Sequence, residues 1–163
     1  MSTRLTLDDA DIRILAALQK DGTLSMAALS ERVHLSHSSC WRRLRRLEAA
    51  GTITGRVALL DPAKLGLELT AYVSVRTSEH NEEWLRSFAR AVEAMPEIVE
   101  LYRMTGDVDY LMKIRVANIA AYDAVYKKLI SMVKLTDVSS AFAMEEMKNT
   151  TELPLPSRRR HRA

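Results

Sequence analysis

The spacing of apolar residues changes along this chain, and the change limits what the chain can fold into. In the first fifty residues apolar side chains recur at helical spacing, as in Ile12, Leu15 and Leu18. From Leu69 onward they alternate with polar side chains, which predicts a strand with one buried face. A chain of 163 residues that combines both patterns is long enough for two small domains, so the sequence predicts an α+β protein.

The strongest local signal in the N-terminal part is a pair of helices joined by a tight turn. Only His34–Ser36 separate the two, and Gly51 is placed to end the second. This arrangement is typical of a helix-turn-helix. The inward seam of its second helix is predicted to be Cys40, Leu44 and Leu47. The predicted N-caps of this and the other helices are Asp8 or Asp9, Ser25, Ser36, Asn81 and Asn118.

The second helix of this pair carries the candidate DNA contacts. Its first turns would enter the major groove, where base edges can be told apart. Arg43, Arg45 and Arg46 are predicted to contact phosphates, which gives salt-dependent affinity without sequence information. The alternative is that the arginines only solvate a surface helix, but their place on the second helix of a tight pair favours DNA. The predicted base contacts are His37, Ser38, Ser39 and Arg42, and the capping Ser36 is included among the DNA-binding residues.

Two neighbouring features have other interpretations. Trp41 could stack on a sugar, pack on a neighbouring helix or wedge against the linker; because packing is the commoner use of tryptophan, it is left out of the base contacts. His34, His37 and Cys40 repeat every three residues, as metal ligands can. His34 falls in the turn, Cys40 falls in the apolar seam and no fourth ligand is apparent, so we predict no metal site.

The C-terminal part alternates between strand and helix signals in the order β-α-β-β-α-β, which is the ferredoxin-like arrangement with one sheet face left open. Before it, Thr52–Leu60 is β-like and is interpreted as a linker. The predicted strands are Leu69–Arg76, Ile98–Met104, Tyr110–Val116 and Val138–Met144. The predicted inward face of the last helix is Ile119, Tyr122, Val125, Tyr126 and Leu129.

Charge and cysteine content restrict the function further. Residues 1–51 carry eight Lys and Arg against six Asp and Glu, whereas residues 52–157 carry twelve against fifteen. Four more arginines lie in Arg158–Arg162, a tail predicted to be disordered. The single cysteine excludes an intramolecular disulfide and fits a reducing compartment. Without an export signal or a membrane-length apolar run, we expect a cytoplasmic, nucleoid-associated protein with no membrane partner.

Four motifs occur in an order that characterises a known family. Together they resemble the Lrp/AsnC (feast/famine) transcription regulators over nearly the whole chain, and only the Arg158–Arg162 tail has no place in the family pattern. The motifs are Leu7-Asp8-x-x-Asp11-x-x-Ile14-Leu15 with Gln19-Lys20-Asp21-Gly22; Leu35-Ser36-x-x-x-Cys40-x-x-Arg43-x-x-Arg46-Leu47-Glu48-x-x-Gly51-x-Ile53; Thr105-Gly106-Asp107-x-Asp109-Tyr110-Leu111; and Phe142-Ala143-Met144-Glu145.

The resemblance implies a winged-helix or helix-turn-helix domain at residues 1–51, a β-strand linker at 52–68 and a ferredoxin-like βαββαβ effector (RAM) domain at 69–153. The basic tail at 154–163 is predicted from its composition alone. It also implies homodimers that assemble into tetramers or octamers and bind double-stranded promoter DNA. Family members bind an amino acid between the effector domains of neighbouring dimers. The matching positions are Met104, Thr105, Gly106, Asp107, Asp109, Val138 and Ser140.

These positions also suit an amino acid chemically. Gly106 would let the backbone approach a ligand closely, and loop amides with Ser140 could bind its carboxylate. Asp107 or Asp109 could pair with its ammonium group. Spacing alone is equally explained by a hairpin turn at Gly106-Asp107 that Asp109 caps, and the resemblance favours the ligand loop.

Some stretches resemble in particular the cysteine-responsive regulators of cysteine detoxification, so L-cysteine is the preferred effector and no other cofactor is expected. Residue chemistry does not itself select a thiol ligand, and a core-facing Cys40 is not a thiol sensor. The main alternative is a nucleoid-like architectural protein without an effector. An enzyme on this scaffold is disfavoured because no nucleophile–base pair, phosphate-cradling loop or metal cluster appears. The stretches are 39–48, 57–62, 104–112 and 140–145.

Overall fold

The computed structural model describes residues 5–79 and 81–156, and within these the chain forms two compact units. The N-terminal unit comprises residues up to Leu59 together with those from Lys148 onward, and the C-terminal unit comprises Leu60–Met147. The division falls inside the predicted 52–68 linker. It also differs from the predicted 69–153 domain, because residues 148–153 are grouped with the N-terminal helices. The Arg158–Arg162 tail lies outside the described residues.

The N-terminal unit is built from three helices, α1 (Asp9–Leu18), α2 (Met26–Arg32) and α3 (His37–Ala49). The predicted caps are confirmed: Asp8, Ser25 and Ser36 each accept a hydrogen bond from a main-chain N–H of the following turn. The seam of Cys40, Leu44 and Leu47 is buried, as predicted. The unit contains a helix-turn-helix, and residues 5–59 and 148–156, which are its described part, contain no strand that would form a wing.

The buried face of α1 differs from the prediction. Ile12, Leu15 and Leu18 are only partly buried, and the inward residues are Asp11, Ile14 and Ala17. Leu15 and Leu18 pack against the edge of the core and also line a cleft of about 330 Å³ with residues 52–56, Thr151, Leu153 and Leu155. The final described segment is fixed there by Gln19, whose side-chain amide donates to the carbonyl of Leu153 and accepts from its N–H, both at 3.1 Å.

The predicted strand at Thr52–Leu60 is absent: these residues form a turn followed by irregular chain, and a short 3₁₀ helix follows at Ala63–Leu65. The β-like pattern has its apolar residues exposed, with Val57, Leu59 and Leu60 each more than two-thirds accessible. A strand needs a neighbour for its main-chain hydrogen bonds, and no strand of the described residues pairs with this segment.

The C-terminal unit confirms the β-α-β-β-α-β order. Its elements are β1 (Leu69–Arg76), α4 (Glu82–Glu93), β2 (Ile98–Arg103), β3 (Tyr110–Val116), α5 (Ile119–Met132) and β4 (Asp137–Phe142). The strands form one antiparallel sheet in the order β2-β3-β1-β4. Asn81 and Asn118 cap the two helices, as predicted.

The core of this unit lies between the two helices and one face of the sheet. Ala71, Val73 and Val75 of β1 are fully buried there, and Phe88 stacks on Trp84 with 4.9 Å between ring centroids. The predicted inward face of α5 is wrong at Ile119, which is 56% exposed in the first turn of the helix. No helix of either unit, within the described residues, is long and apolar enough to cross a membrane.

Candidate DNA interface and effector loop

The turn before α3 fixes where that helix begins. His34 adopts a left-handed backbone conformation with φ 54°, which L-residues rarely adopt, and the chain can then reverse within three residues. Leu35 donates its N–H to the carbonyl of Ser30 at 3.0 Å. The Ser36 hydroxyl accepts from the N–H of Ser39 at 3.3 Å and so caps α3. These contacts fix the start of α3 relative to the end of α2.

The face of α3 opposite its buried seam carries part of the predicted DNA contacts. Ser38, Arg42 and Arg45 follow one another at i, i+4 and i+7 and are exposed, so they form a single stripe. Arg42 has no hydrogen bond or ion pair with any residue that the structure describes, whereas Arg45 lies 3.6 Å from Glu48. Ser36 and His37 are also exposed at the start of the helix, and Ser39 is half-buried. The predicted base contacts are thus brought together.

Trp41 lies beside this stripe and is 53% exposed. The packing interpretation of Trp41 therefore holds for only part of the ring, and the rest of it is available at the same surface as Arg42. Cys40, on the other side of the helix, is buried, and burial raises the pKa of its thiol. Among the described residues no three His, Cys, Asp or Glu side chains are grouped closely enough to hold a metal ion.

Arg43 and Arg46 differ from the other two arginines because they point at α1. Nη1 of Arg43 donates to Asp8 at 2.7 Å and to Asp11 at 3.0 Å, and Arg46 donates to the other oxygen of Asp11. The sequence analysis missed Asp8 and Asp11 as partners. Both acids belong to the first of the four family motifs, but their partners lie more than thirty residues away in the sequence. Helical spacing does not indicate contacts between residues so far apart.

Two kinds of hydrogen bond stabilise the negative charge of Asp8. Its carboxylate accepts from the N–H of Asp11, as the cap of α1, and from the guanidinium of Arg43. The bond from Asp11 has the larger effect and the bond from Arg43 the next, and they lower the pKa of Asp8 from its ordinary 3.8 to about 2. Asp8 is therefore ionised throughout the physiological range, and α1 and α3 meet through a permanent ion pair.

The predicted effector residues Met104–Asp109 form the hairpin between β2 and β3. Gly106 lies at the tip with φ 99°, a conformation that favours glycine, and Met104 to Asp107 are exposed. The hairpin closes because Met104 donates its N–H to the carbonyl of Asp109 at 2.8 Å. The half-buried carboxylate of Asp109 accepts from the N–H of Thr77, just after β1. The structure thus presents a tight loop with exposed amides and one exposed acid, Asp107.

Val138 and Ser140 lie on the other side of β1 from this loop. Val75 pairs with Tyr110 on one side and with Val138 on the other, which separates Val138 from the hairpin by about 10 Å. Val138 lines a cleft of about 450 Å³ with the C-terminal end of α5 and the loop that follows it. The hydroxyl of Ser140 forms a hydrogen bond with that of Tyr122. Within one chain the structure therefore groups the loop residues and keeps the two strand residues apart.

Comparison with protein families gives two matches that together span most of the chain. Residues 7–54 match the model of a winged helix-turn-helix DNA-binding domain. Residues 70–153 match the model of the Lrp/AsnC ligand binding domain. The first match covers all three helices of the N-terminal unit, and the second covers the four-stranded sheet and continues past it.

Two curated relatives are similar along nearly their whole length. A glutamate uptake regulatory protein of Zymomonas mobilis is 56% identical over 150 residues, which are 92% of this chain and 92% of that protein. The DNA-binding transcriptional activator DecR of Escherichia coli is 50% identical over 150 residues, 91% of this chain and 99% of its own. Both are named as regulators of gene expression or uptake, and neither as an enzyme.

Solved structures agree with the fold. An AsnC family transcriptional regulator from Agrobacterium tumefaciens superposes with a TM-score of 0.88 at 53% identity, over 91% of this chain and 97% of its own. A transcriptional regulator from Neisseria meningitidis, solved as a complex with L-Met, superposes with a TM-score of 0.86 at 39% identity over the same shares.

Proposed function

The chain belongs to the Lrp/AsnC family of DNA-binding transcription regulators, which are not enzymes, and from this premise we propose which residues contact DNA and which amino acid is the effector. The N-terminal unit contacts a promoter through α3. The C-terminal unit takes up an amino acid that changes how the assembled protein binds that DNA. We propose that the protein acts in the cytoplasm, on the DNA of the nucleoid.

The observation that supports the DNA contacts is the exposed stripe of α3. Arg42 is free of internal partners among the described residues and lies one turn from Ser38, so its guanidinium can reach a base edge. His37, Ser38 and Ser39 precede it at the end of the helix that enters a groove, with the capping Ser36 beside them. Arg45 continues the stripe and is suited to a phosphate.

The proposed effector site combines the Met104–Asp109 hairpin with Val138 and Ser140. Exposed amides around Gly106 can bind a carboxylate, and Asp107 or Asp109 can pair with an ammonium group. Because β1 separates the hairpin from the two strand residues within one chain, we propose that neighbouring copies complete the site. Homodimers that assemble into tetramers or octamers would provide such neighbours.

L-Cysteine is the proposed effector, on the strength of the stretches around Cys40, Asp61, Gly106 and Phe142 that resemble cysteine-responsive regulators. Two competitors come from the relatives, since one is named for glutamate uptake and another was solved with L-Met. A thermal-shift panel of the twenty amino acids, run with and without promoter DNA, tests the choice. Stabilisation by cysteine at the lowest concentration supports it, and stabilisation by another amino acid replaces it.

The proposed mechanism is linkage between ligand and assembly. An amino acid that binds one dimer–dimer arrangement better than another shifts the population towards it, and that arrangement sets the spacing of the paired α3 helices along DNA. The alternative, an architectural DNA-binding protein without an effector, predicts weak sequence discrimination and no amino acid that raises the melting temperature. The same panel and a promoter-binding assay at moderate salt therefore separate the two.

A further inference from the structure

Asp11 is the only charged side chain among the described residues that is fully buried, with 0% of its surface exposed. Its Oδ1 accepts from Nη1 of Arg43 at 3.0 Å. Its Oδ2 accepts from Arg46 and, at 3.1 Å, from the N–H of Asp8. A buried carboxylate is costly unless it is paired and hydrogen-bonded, and here both oxygens are.

The two acids and the two arginines have the same spacing on their helices. Asp8 and Asp11 lie three residues apart at the start of α1, and Arg43 and Arg46 lie three residues apart on α3. Since residues at i and i+3 share a helix face, one turn of α3 is fastened to the first turn of α1. This fixes both the distance between the helices at this level and the rotation of α3 about its axis.

The side chain of Arg43 points towards α1 and not towards the face of α3 that would enter a DNA groove. Its side chain is 25% exposed, and its Nε is buried without a hydrogen-bond partner in the described part of the chain. Arg43 lies off the stripe of Ser38, Arg42 and Arg45, whereas Arg46 follows Arg42 at i+4 and is 45% exposed, but its Nη2 donates to Asp11. Arg43 and Arg46 thus pair with α1, Arg45 pairs only with Glu48 of α3 itself, and Arg42 has no partner among the described residues.

A buried ion pair of this kind is weak evidence for stability, because the cost of removing the charges from water offsets their attraction. Its better-attested effect is to select one arrangement of the groups that it joins. At a recognition helix the arrangement matters, because a rotation of α3 would move Ser38 and Arg42 away from the base edges that they would contact.

We propose that Asp11 is a positioning residue for DNA recognition: it holds Arg43 and Arg46 against α1 and thereby sets the orientation in which α3 meets DNA. The inference rests on the proposed function of α3. It reassigns Arg43 and Arg46 from phosphate contact to helix orientation and leaves Arg45 as the phosphate contact.

The dependence of DNA affinity on salt separates the two roles of arginine. In magnitude, the negative slope of log K against log salt falls by about 0.9 for each phosphate contact that is lost. We therefore expect Arg45→Gln to lower the slope by about that amount for both a promoter and an unrelated duplex. Arg43→Gln and Arg46→Gln should leave the slope unchanged and lower the preference for the promoter by about tenfold, the value of one good base contact.

Asp11→Asn should behave like the Arg43 and Arg46 variants, with an unchanged slope and a reduced promoter preference. Asp9→Asn is the matched control, because Asp9 is an exposed acid in the same turn of α1, and it should leave the preference unchanged. Arg43→Lys keeps the charge and should restore part of the preference, since lysine can bind Asp11 as a point charge only. Circular dichroism and protection of the Cys40 thiol check that each variant is folded.

The proposal is overturned if Arg43→Gln or Arg46→Gln lowers the salt slope as Arg45→Gln does, or if folded Asp11→Asn keeps the full promoter preference. Should Asp11→Asn fail to fold, the slopes of the two arginine variants still decide. Failure of the proposed function looks different: the unsubstituted protein would then show no promoter preference, and Arg45→Gln would not change the slope.

Discussion

Asp109 accepts a hydrogen bond from the main-chain N–H of Thr77, with 2.8 Å between its Oδ2 and the nitrogen. Thr77 follows β1 directly, and Asp109 precedes β3, so this bond fastens the proposed effector hairpin to the end of the neighbouring strand. The carboxylate therefore has a structural role in the ligand-free protein. Whether it also binds an ammonium group is a separate question.

Two substitutions of Asp109 separate these roles. Asp109→Asn keeps an oxygen that can accept from Thr77 and removes the charge, whereas Asp109→Ala removes both. We expect Asp109→Asn to keep the ligand-free melting temperature and to weaken effector binding about tenfold or more, because a charge-assisted bond is lost. Asp109→Ala should also lower the melting temperature by about 2–4 °C. Thermal-shift titrations measure both, and basal promoter affinity should change by no more than a few-fold.

If Asp109→Asn binds the effector as tightly as the unsubstituted protein, Asp109 serves the hairpin alone. Asp107→Asn is then the informative variant, because Asp107 is the exposed acid of the same loop.

Arg42→Ala should weaken promoter binding by roughly 1–3 kcal/mol and relax specificity at one base position, because Arg42 is the arginine of α3 best placed to reach a base edge. Footprinting and affinity measurements on single-base variants of the promoter provide the test. Arg86→Ala is the control: Arg86 is an exposed arginine of α4 that pairs with Glu82 at 3.3 Å, and its loss should change nothing. Unchanged footprints for Arg42→Ala would exclude Arg42 from base contact.

Cys40 should report on the N-terminal unit without taking part in its function. It is the only cysteine, it is fully buried, and burial raises the pKa of its thiol, so the reactive thiolate is scarce. We expect a thiol reagent to react slowly with native protein and rapidly in denaturant. Cys40→Ala should retain the effector response. Rapid labelling of native protein, or loss of the response, would contradict the buried seam.

Acid should loosen the contact between α1 and α3. The folded-state pKa of Asp8 is lowered from 3.8 to about 2, so the stability that it contributes is complete above pH 4 and is lost as the pH falls towards 2. Asp8→Asn keeps a good cap and should make unfolding less dependent on pH in that range. Because Asp8 is 54% exposed, water and salt screen the effect, and it should shrink in high salt.

Asp107→Asn, an exposed acid of the C-terminal unit, is the control for this titration and should retain the pH dependence. Circular dichroism follows unfolding between pH 2 and pH 5, because a thiol that is protonated at these pH values reacts too slowly with thiol reagents to report on unfolding. An identical pH profile for Asp8→Asn and the unsubstituted protein would contradict the assignment.

The sequence predicts the helix starts well because capping is local. Asp8, Ser25, Ser36, Asn81 and Asn118 each accept from an N–H within three residues, and such contacts can be inferred from a short stretch. The alternation in β1 likewise predicts its buried face, because a strand's side chains point to alternate sides.

Most features that the sequence did not predict depend on contacts between residues that are far apart in the sequence. Asp11 is buried on α1, where a charged residue would be placed outside, because two arginines of α3 neutralise it. Leu15 and Leu18 are drawn to a cleft that residues beyond 148 help to form. Ile119 has helical spacing but lies in the first turn of α5, where it is exposed. The linker has a β-like pattern and no strand partner in the described chain.

The bond between Gln19 and Leu153 has a consequence for how the protein is made. The two residues are 134 positions apart, so at bacterial and eukaryotic rates of translation α1 leaves the ribosome roughly 7 to 27 seconds before its partner does. During that interval the three N-terminal helices are present without the residues that complete the cleft beside α1. The entire C-terminal unit is synthesised in that interval, and the cleft can be completed only when Thr151, Leu153 and Leu155 have followed it.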